Sequence, residues 1–235
     1  MNSIKRNIYL QRLIDREQNG LVKIVTGIRR SGKSYLLNKL FYEHLKEKGI
    51  TDNHIIKIAL DDVENSDLVS PKALNRYIKS LIVDDKLYYI LLDEIQLVDN
   101  FVSVLNGLLK LANVDIYVTG SNSKFLSSDI VTEFRGRGDE IRILPLSFSE
   151  FMSVYDGSIF AGWKEYYTYG GMPLVLSQRS EEAKMNYLKG QLKNVYINDI
   201  IDRNRIQNEA QINALVEILA SNIGSLTNPL RLSNT

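Results

Sequence analysis

Gly27-Ile28-Arg29-Arg30-Ser31-Gly32-Lys33-Ser34 fits the phosphate-binding pattern G-x-x-x-x-G-K-[ST] at every fixed position. Just upstream, residues 21–26 (Leu-Val-Lys-Ile-Val-Thr) form a short β-branched run suited to a buried parallel strand. Downstream, residues 35–48 carry Leu36, Leu37, Leu40, Phe41 and Leu45 at helical spacing, and Gly49 supplies a stop. Strand, glycine loop and helix is the order that phosphate binding needs. Gly27 and Gly32 permit a tight loop with its amides facing an anion, and the helix N-terminus adds partial positive charge. Lys33 then reaches the β- and γ-phosphates of a nucleotide, and Ser34 offers a hydroxyl to Mg²⁺. Ile28, Ser31 and Tyr35 complete the expected binding set. For Arg29 and Arg30, at variable positions of the pattern, a phosphate, a neighbouring group and solvent all stay open as partners.

The composition is compatible with such a domain and narrows the alternatives. The 235 residues suit one large or two small domains, with 44% apolar and 24% charged residues. Lys plus Arg number 29 against 28 acids, so only local patches could attract a polyanion. No cysteine is present, which excludes disulfides, thiol catalysis and cysteine-type zinc sites and fits a cytoplasmic location. The opening Met-Asn-Ser-Ile-Lys-Arg leads into polar sequence unlike a signal-peptide core, and no apolar run nears the roughly 20 residues of a membrane helix.

Strands and helices alternate through the first part of the chain. Helices are predicted over 7–18, 71–83 and 101–112, and further strands over 53–60, 87–92, 115–119 and 140–144. This alternation predicts an α/β fold with a mostly parallel five-stranded sheet covered on both faces. From about residue 149 the sequence turns to short aromatic-rich helices, followed by longer helical patterns near 181–201 and 209–223. The expected division is a nucleotide-binding core over 1–150, a helical lid or linker over 151–208, and a further domain beginning at 209–235.

The strand at 87–92 ends in Asp93-Glu94. In a parallel sheet that end faces the ligand crevice. Asp93 is therefore expected to hold Mg²⁺ and Glu94 to orient and deprotonate an attacking water. Gln96 either polarises the same water or faces solvent. Ser121 and Asn122, after the next strand, are candidates to contact a γ-phosphate or water, although Gly-Ser-Asn is also ordinary turn composition. Arg135 and Arg137, set among Gly136 and Gly138, could stabilise charge on a transferring phosphoryl group or simply be solvated, and Arg137 is the candidate catalytic arginine.

Weaker signals favour structural roles. His44 and His54 lack ligand spacing. Trp163, Tyr166, Tyr167 and Tyr169 suit a helix core better than a base-stacking platform, since Lys164 is the sole basic residue among them. Asp61-Asp62 reads as an acidic loop at the sheet's edge, with an approach to the metal as the alternative.

The succession GIRRSGKS, LLDEIQ, VTGSNS, FRGRGDEIRILPLSFSEF and YGGMP over about residues 5–205 resembles a prokaryotic AAA+ ATPase family, related to archaeal ATPases and signal-transducing (STAND-like) NTPases. The resemblance implies sheet order 5-1-4-3-2 and ATP with Mg. By motif it implies phosphate binding by residues 27–34, metal support from Asp93, a base in Glu94, and a sensor in Ser121 or Asn122. It also implies a winged-helix domain after the core, which residues 210–223 would begin, and through it a DNA partner; a homo-oligomer is a candidate assembly, with no membrane partner and an unknown client. A second-sensor arginine is not evident, with Arg203 and Arg205 the nearest candidates.

Two functions fit these residues. One is an ATP hydrolase whose cycle drives or gates an appended domain, as the Asp93-Glu94 pair suggests. The other is a nucleotide-dependent switch or DNA-binding regulator with slow or no hydrolysis. A small-molecule kinase also uses a phosphate loop, but the Asp-Glu pair weighs against it.

Overall fold

In a computed structural model of the chain, the residues described are 4–120, 134, 136–193, 201, 208–224 and 228. They fall into two compact units, Met1–Arg179 and Ser180–Thr235. Helix α1 (Asn7–Ile14) leads into strand β1 (Val22–Thr26). Helix α2 follows the glycine loop and is built from Lys33–Tyr35, a π-helical stretch Leu36–Phe41, and Tyr42–Glu47. Strand β2 (Ile55–Ala59), helix α3 (Pro71–Leu81), strand β3 (Tyr88–Asp93), helix α4 (Phe101–Leu108), strand β4 (Val114–Thr119) and strand β5 (Gly138–Arg142) complete the sheet layer. Helices α5 (Phe148–Met152) and α6 (Ile159–Tyr169) close the first unit. The second unit contains α7 (Glu181–Gln191) and α8 (Glu209–Ser221).

All four strand pairings are parallel, in the order β2-β3-β4-β1-β5. This is the expected 5-1-4-3-2 sheet of a P-loop NTPase. Against the predicted bounds, β5 starts two residues early and ends at Arg142, and the helices predicted over 7–18 and 101–112 end at Ile14 and Leu108. Gly138 can enter the strand because it packs against Ile24, whose Cδ1 would lie 2.8 Å from a Cβ placed at 138.

Side-chain alternation sends the strands into two cores. Ile24, Ile58, Ile90, Leu92, Ile116 and Val118 pack with the inner faces of α3 and α4. Val25, Leu91, Tyr117 and Ile141 pack on the other sheet face with α1 and with Leu36, Leu37, Leu40 and Phe41 of α2. The helix carrying Lys33 and Ser34 is thus fixed to the sheet by four apolar residues in its next two turns.

The second face also buries charge. Lys23 is fully buried and donates to the Asp115 carboxylate and, at 2.8 Å, to the Leu21 carbonyl. Asp115 also accepts from the Tyr117 hydroxyl and the Gln18 amide, both at 2.9 Å. Burial lowers the Lys23 pKa, while the Asp115 charge opposes that shift. Removing one partner leaves an uncompensated buried charge, so Asp115→Ala is expected to destabilise the fold by about 3–5 kcal/mol in urea unfolding. Lys23→Met with Asp115→Leu should recover much of that loss, because the desolvation cost disappears with both charges.

Candidate nucleotide site

The glycine loop links the end of β1 to the start of α2. It needs three left-handed residues: Gly27 (φ 144°), Arg30 (φ 64°) and Gly32 (φ 99°). Gly27 has a second constraint, since a Cβ there would lie 2.4 Å from the Ile143 carbonyl oxygen. The first glycine of the pattern therefore lets the chain after β5 pass directly against the loop. Ser31 is fully buried, and its hydroxyl has no hydrogen-bond partner among the described residues.

Lys33 is buried and donates to the carbonyls of Gly27 at 3.1 Å and Ile28 at 3.0 Å. Desolvation lowers its pKa; the charges of Glu94 and Asp93 oppose the shift, and Arg29 adds to it. The ammonium thus lies within electrostatic reach of both acids. Its acceptors are neutral carbonyls, for which an anionic phosphate oxygen would be a stronger replacement.

Asp93 ends β3, between β2 and the central strand β4, and is 4% exposed. One carboxylate oxygen accepts from Ser34 Oγ at 3.0 Å and from Thr119 Oγ1, and the other accepts from Asn38 Nδ2 at 3.1 Å. Burial raises its pKa, hydrogen bonds from Thr119 and Ser34 oppose this, and the charges of Glu94 and Asp61 add to it. A buried carboxylate ringed by neutral donors and facing further acids is a place where a divalent cation would relieve repulsion. The residues present therefore fit Mg²⁺, with Ser34 and Asp93 as the groups that would hold it.

Glu94 adopts a left-handed backbone (φ 54°, ψ 46°), which costs a non-glycine residue about 1–3 kcal/mol. Its amide donates to Thr119 Oγ1 at 3.0 Å, and its carboxylate accepts from Gln96 Nε2. The Gln96 side chain thus grips Glu94, an arrangement outside both sequence readings of that residue. A cavity of about 590 Å³ adjoins the loop, lined by Arg6, Arg30, Lys33, Glu94, Leu146 and Leu174 among others. This volume is in the usual range for a small-molecule or cofactor site.

Thus Gly27, Ser31, Gly32, Lys33, Ser34, Asp93 and Glu94 come together at the C-terminal edge of the sheet. Tyr35 and Arg30 also line the cavity, Ile28 contributes its carbonyl, and Arg29 is close enough to act on the Lys33 charge. Arg137 is exposed, and its carbonyl accepts from the Val22 amide at the start of β1. It therefore lies a full strand length, about 16 Å, from this chain's own glycine loop. Ser121, Asn122, Arg135, Arg203 and Arg205 lie outside the described residues.

The family model described as an AAA domain matches residues 19–152. The chain belongs to the AAA domain family. A second family model, a domain of unknown function (DUF8612), matches residues 161–235. An uncharacterized protein of Haemophilus influenzae is 33% identical, in an alignment covering 99% of this chain and 59% of that protein. An uncharacterized protein of Methanocaldococcus jannaschii is 30% identical, covering 91% and 51%. The chain spans about half to three fifths of the length of these relatives. Among solved structures, a DNA polymerase III gamma subunit-related protein of Thermotoga maritima aligns with TM-score 0.48 and 12% identity over 92% of this chain and 66% of that one. The Aeropyrum pernix ORC1 protein, solved in complex with DNA, aligns with TM-score 0.45 and 12% identity over the same shares.

Within this AAA domain, sequence reading missed Thr119 and Asn38. The β3–β4 register pairs Leu92 with Val118, so Thr119 comes level with Asp93. Asn38 follows Ser34 by four residues, placing both on one side of α2. Both signals lie in the sequence, but they become readable only once the two strands are known to be neighbours. Trp163 and Tyr167 are exposed, while Tyr169 is buried and Tyr166 donates to the Leu146 carbonyl at 2.8 Å. The aromatic segment is therefore only partly core. Gly171 explains part of the Tyr-Gly-Gly-Met-Pro stretch: its carbonyl accepts from the Leu146 amide at 2.7 Å, and a Cβ there would lie 2.1 Å from the Leu146 carbonyl oxygen. Among the described residues no helix is long and apolar enough to cross a membrane.

Proposed function

We propose that this chain binds ATP with Mg²⁺ and hydrolyses it, and that the cycle drives or gates movement of an appended domain. The carrying observation is the meeting of Ser34 with Asp93 at 3.0 Å beside Glu94, directly over the loop that buries Lys33. In this reading the loop amides and Lys33 orient the triphosphate, and Ser34 and Asp93 hold the metal. Bound Mg²⁺ would supply charge neutralisation on the phosphate oxygens. Glu94 takes a proton from water approaching the terminal phosphoryl group, and Thr119 fixes the Glu94 backbone by accepting its amide hydrogen. Leu146 and Leu174 give the cavity an apolar wall beside these polar groups.

A second reading, a nucleotide-dependent switch with slow turnover, is favoured by the Gln96 contact to the Glu94 carboxylate. A base engaged by an amide is less free to meet water. The DNA partner, the winged helix beginning in the second unit, and an arginine finger belong to either reading as proposals. For Arg137, the distance from its own loop means that only a neighbouring copy's nucleotide would come within reach. Phosphate release at saturating ATP tests the first reading, with magnesium replaced by EDTA as control and duplex DNA as an added arm. The hydrolase reading expects magnesium-dependent multiple turnover well above background. Tight nucleotide binding without phosphate release would leave the switch.

A further inference from the structure

Arg6 immediately precedes α1, far in sequence from the nucleotide loop, yet it is 2% exposed and lines the same cavity. Its guanidinium reaches three segments. Nη1 donates to the Ser31 carbonyl at 3.1 Å, Nη2 donates to the Leu144 carbonyl at 2.6 Å, and Nε pairs with Glu150 Oε1 at 3.0 Å. The charged plane also lies over the Tyr9 ring at 4.6 Å, and the Tyr9 hydroxyl accepts from the Leu144 amide at 3.2 Å. The second oxygen of Glu150 accepts from the Ser147 amide at 2.9 Å, while Ser147 Oγ accepts from the Glu150 amide, closing the first turn of α5. One side chain therefore joins the nucleotide loop, the exit from β5 and the start of the following helices.

Burying a guanidinium is costly unless its donors are matched, and an apolar side chain would fill the same space without that cost. The contact with Ser31 carries specific geometric information. The Ser31 carbonyl and the Gly32 N–H share one planar trans peptide and point in opposite directions. Holding that carbonyl toward Arg6 therefore fixes the direction of the Gly32 amide, one of the donors that a phosphate loop offers. Any rotation of this peptide on ligand binding pulls on Arg6, and through Glu150 on α5.

We propose that Arg6 is a positioning residue that sets the Ser31–Gly32 peptide of the nucleotide loop and couples its state to helix α5 through Glu150. This rests on the reading that the loop binds ATP. It adds a route by which occupancy reaches the segment after the sheet, which neither the loop pattern nor the Asp93-Glu94 pair supplies.

Amide hydrogen exchange on the full chain, with and without a non-hydrolysable ATP analogue and magnesium, reads the coupling directly. In the unaltered chain, nucleotide should slow exchange in residues 27–36 and also in 146–152. Arg6→Lys keeps the charge but loses the fork that donates to the Ser31 and Leu144 carbonyls while its Nε edge ion-pairs with Glu150. It should weaken nucleotide affinity about tenfold, as expected for loss of a charge-assisted hydrogen bond, and confine protection to 27–36. Glu150→Gln leaves the two carbonyl contacts in place. It should keep affinity within about twofold of the parent and still abolish nucleotide-dependent protection at 146–152. A purely structural arginine would lower the melting temperature without changing these nucleotide-induced differences. Parental affinity and parental protection of 146–152 in Arg6→Lys would overturn the proposal. If that variant does not fold, retained protection of 146–152 in Glu150→Gln overturns it instead. Failure of nucleotide to protect 27–36 in the unaltered chain would remove the ATP reading and this proposal together, whereas protection of 27–36 with none at 146–152 would overturn this proposal alone.

Discussion

Glu94→Gln is expected to lower phosphate release by about 10²–10⁴-fold at saturating ATP while leaving nucleotide affinity within about threefold of the parent. The amide preserves the size of the side chain and removes its ability to accept a proton. The position is well suited to this test because its geometry is set by the main chain. The Glu94 backbone sits at φ 54° and is held by its own amide donating to Thr119 Oγ1 at 3.0 Å. Neither feature depends on the carboxylate. The contact with Gln96 can persist through the new amide oxygen. Any loss should therefore appear in turnover and not in folding or binding. Single-turnover phosphate release with a parallel fluorescent-nucleotide titration separates the two. Unchanged release would remove Glu94 as the base and leave the switch reading.

The parts legible in the sequence were those carried by contiguous residues. The loop pattern and its flanking periodicities lie within one stretch, and β1 to β4 announce themselves by local hydrophobicity, whereas β5 (Gly-Asp-Glu-Ile-Arg) carries one apolar residue and is placed two residues late. The position of the Asp93-Glu94 pair could be read because the C-terminal ends of parallel strands share one edge of the sheet. What escaped was pairing across the sheet. Thr119 stands beside Asp93 because of the β3–β4 register, and nothing around Val-Thr-Gly marks it out from Ser121 or Asn122. Arg6 meets Ser31 across 25 residues and Leu144 across 138. An arginine before an amphipathic helix reads as surface until those partners are known. Lys23 was hidden for the opposite reason. A lysine in a buried β-branched run is tolerable only when an acid is delivered to it, and Asp115 comes from the neighbouring strand in space, not in sequence.

Lys33→Ala should weaken ATP binding by about 100-fold or more, since it removes a charge-assisted contact made in a desolvated loop. The fold should survive. Burial lowers the Lys33 pKa, which means that the folded state penalises the charged form. Alanine eliminates that penalty, offsetting part of the loss of the two hydrogen bonds to the Gly27 and Ile28 carbonyls. The same shift provides an internal control. A lysine whose pKa falls on folding binds fewer protons in the native state than in the unfolded one, so its contribution makes stability rise with pH between the lowered value and the ordinary lysine range. Lys33→Ala should flatten that rise in urea unfolding followed across alkaline pH. A variant that melts cooperatively, shows the flattened slope and no longer binds nucleotide assigns the lysine to phosphate binding. Near-parental affinity in the same folded variant would mean that the loop holds its phosphate through backbone amides alone, and the buried ammonium would then be a structural strut across the Gly27 and Ile28 carbonyls.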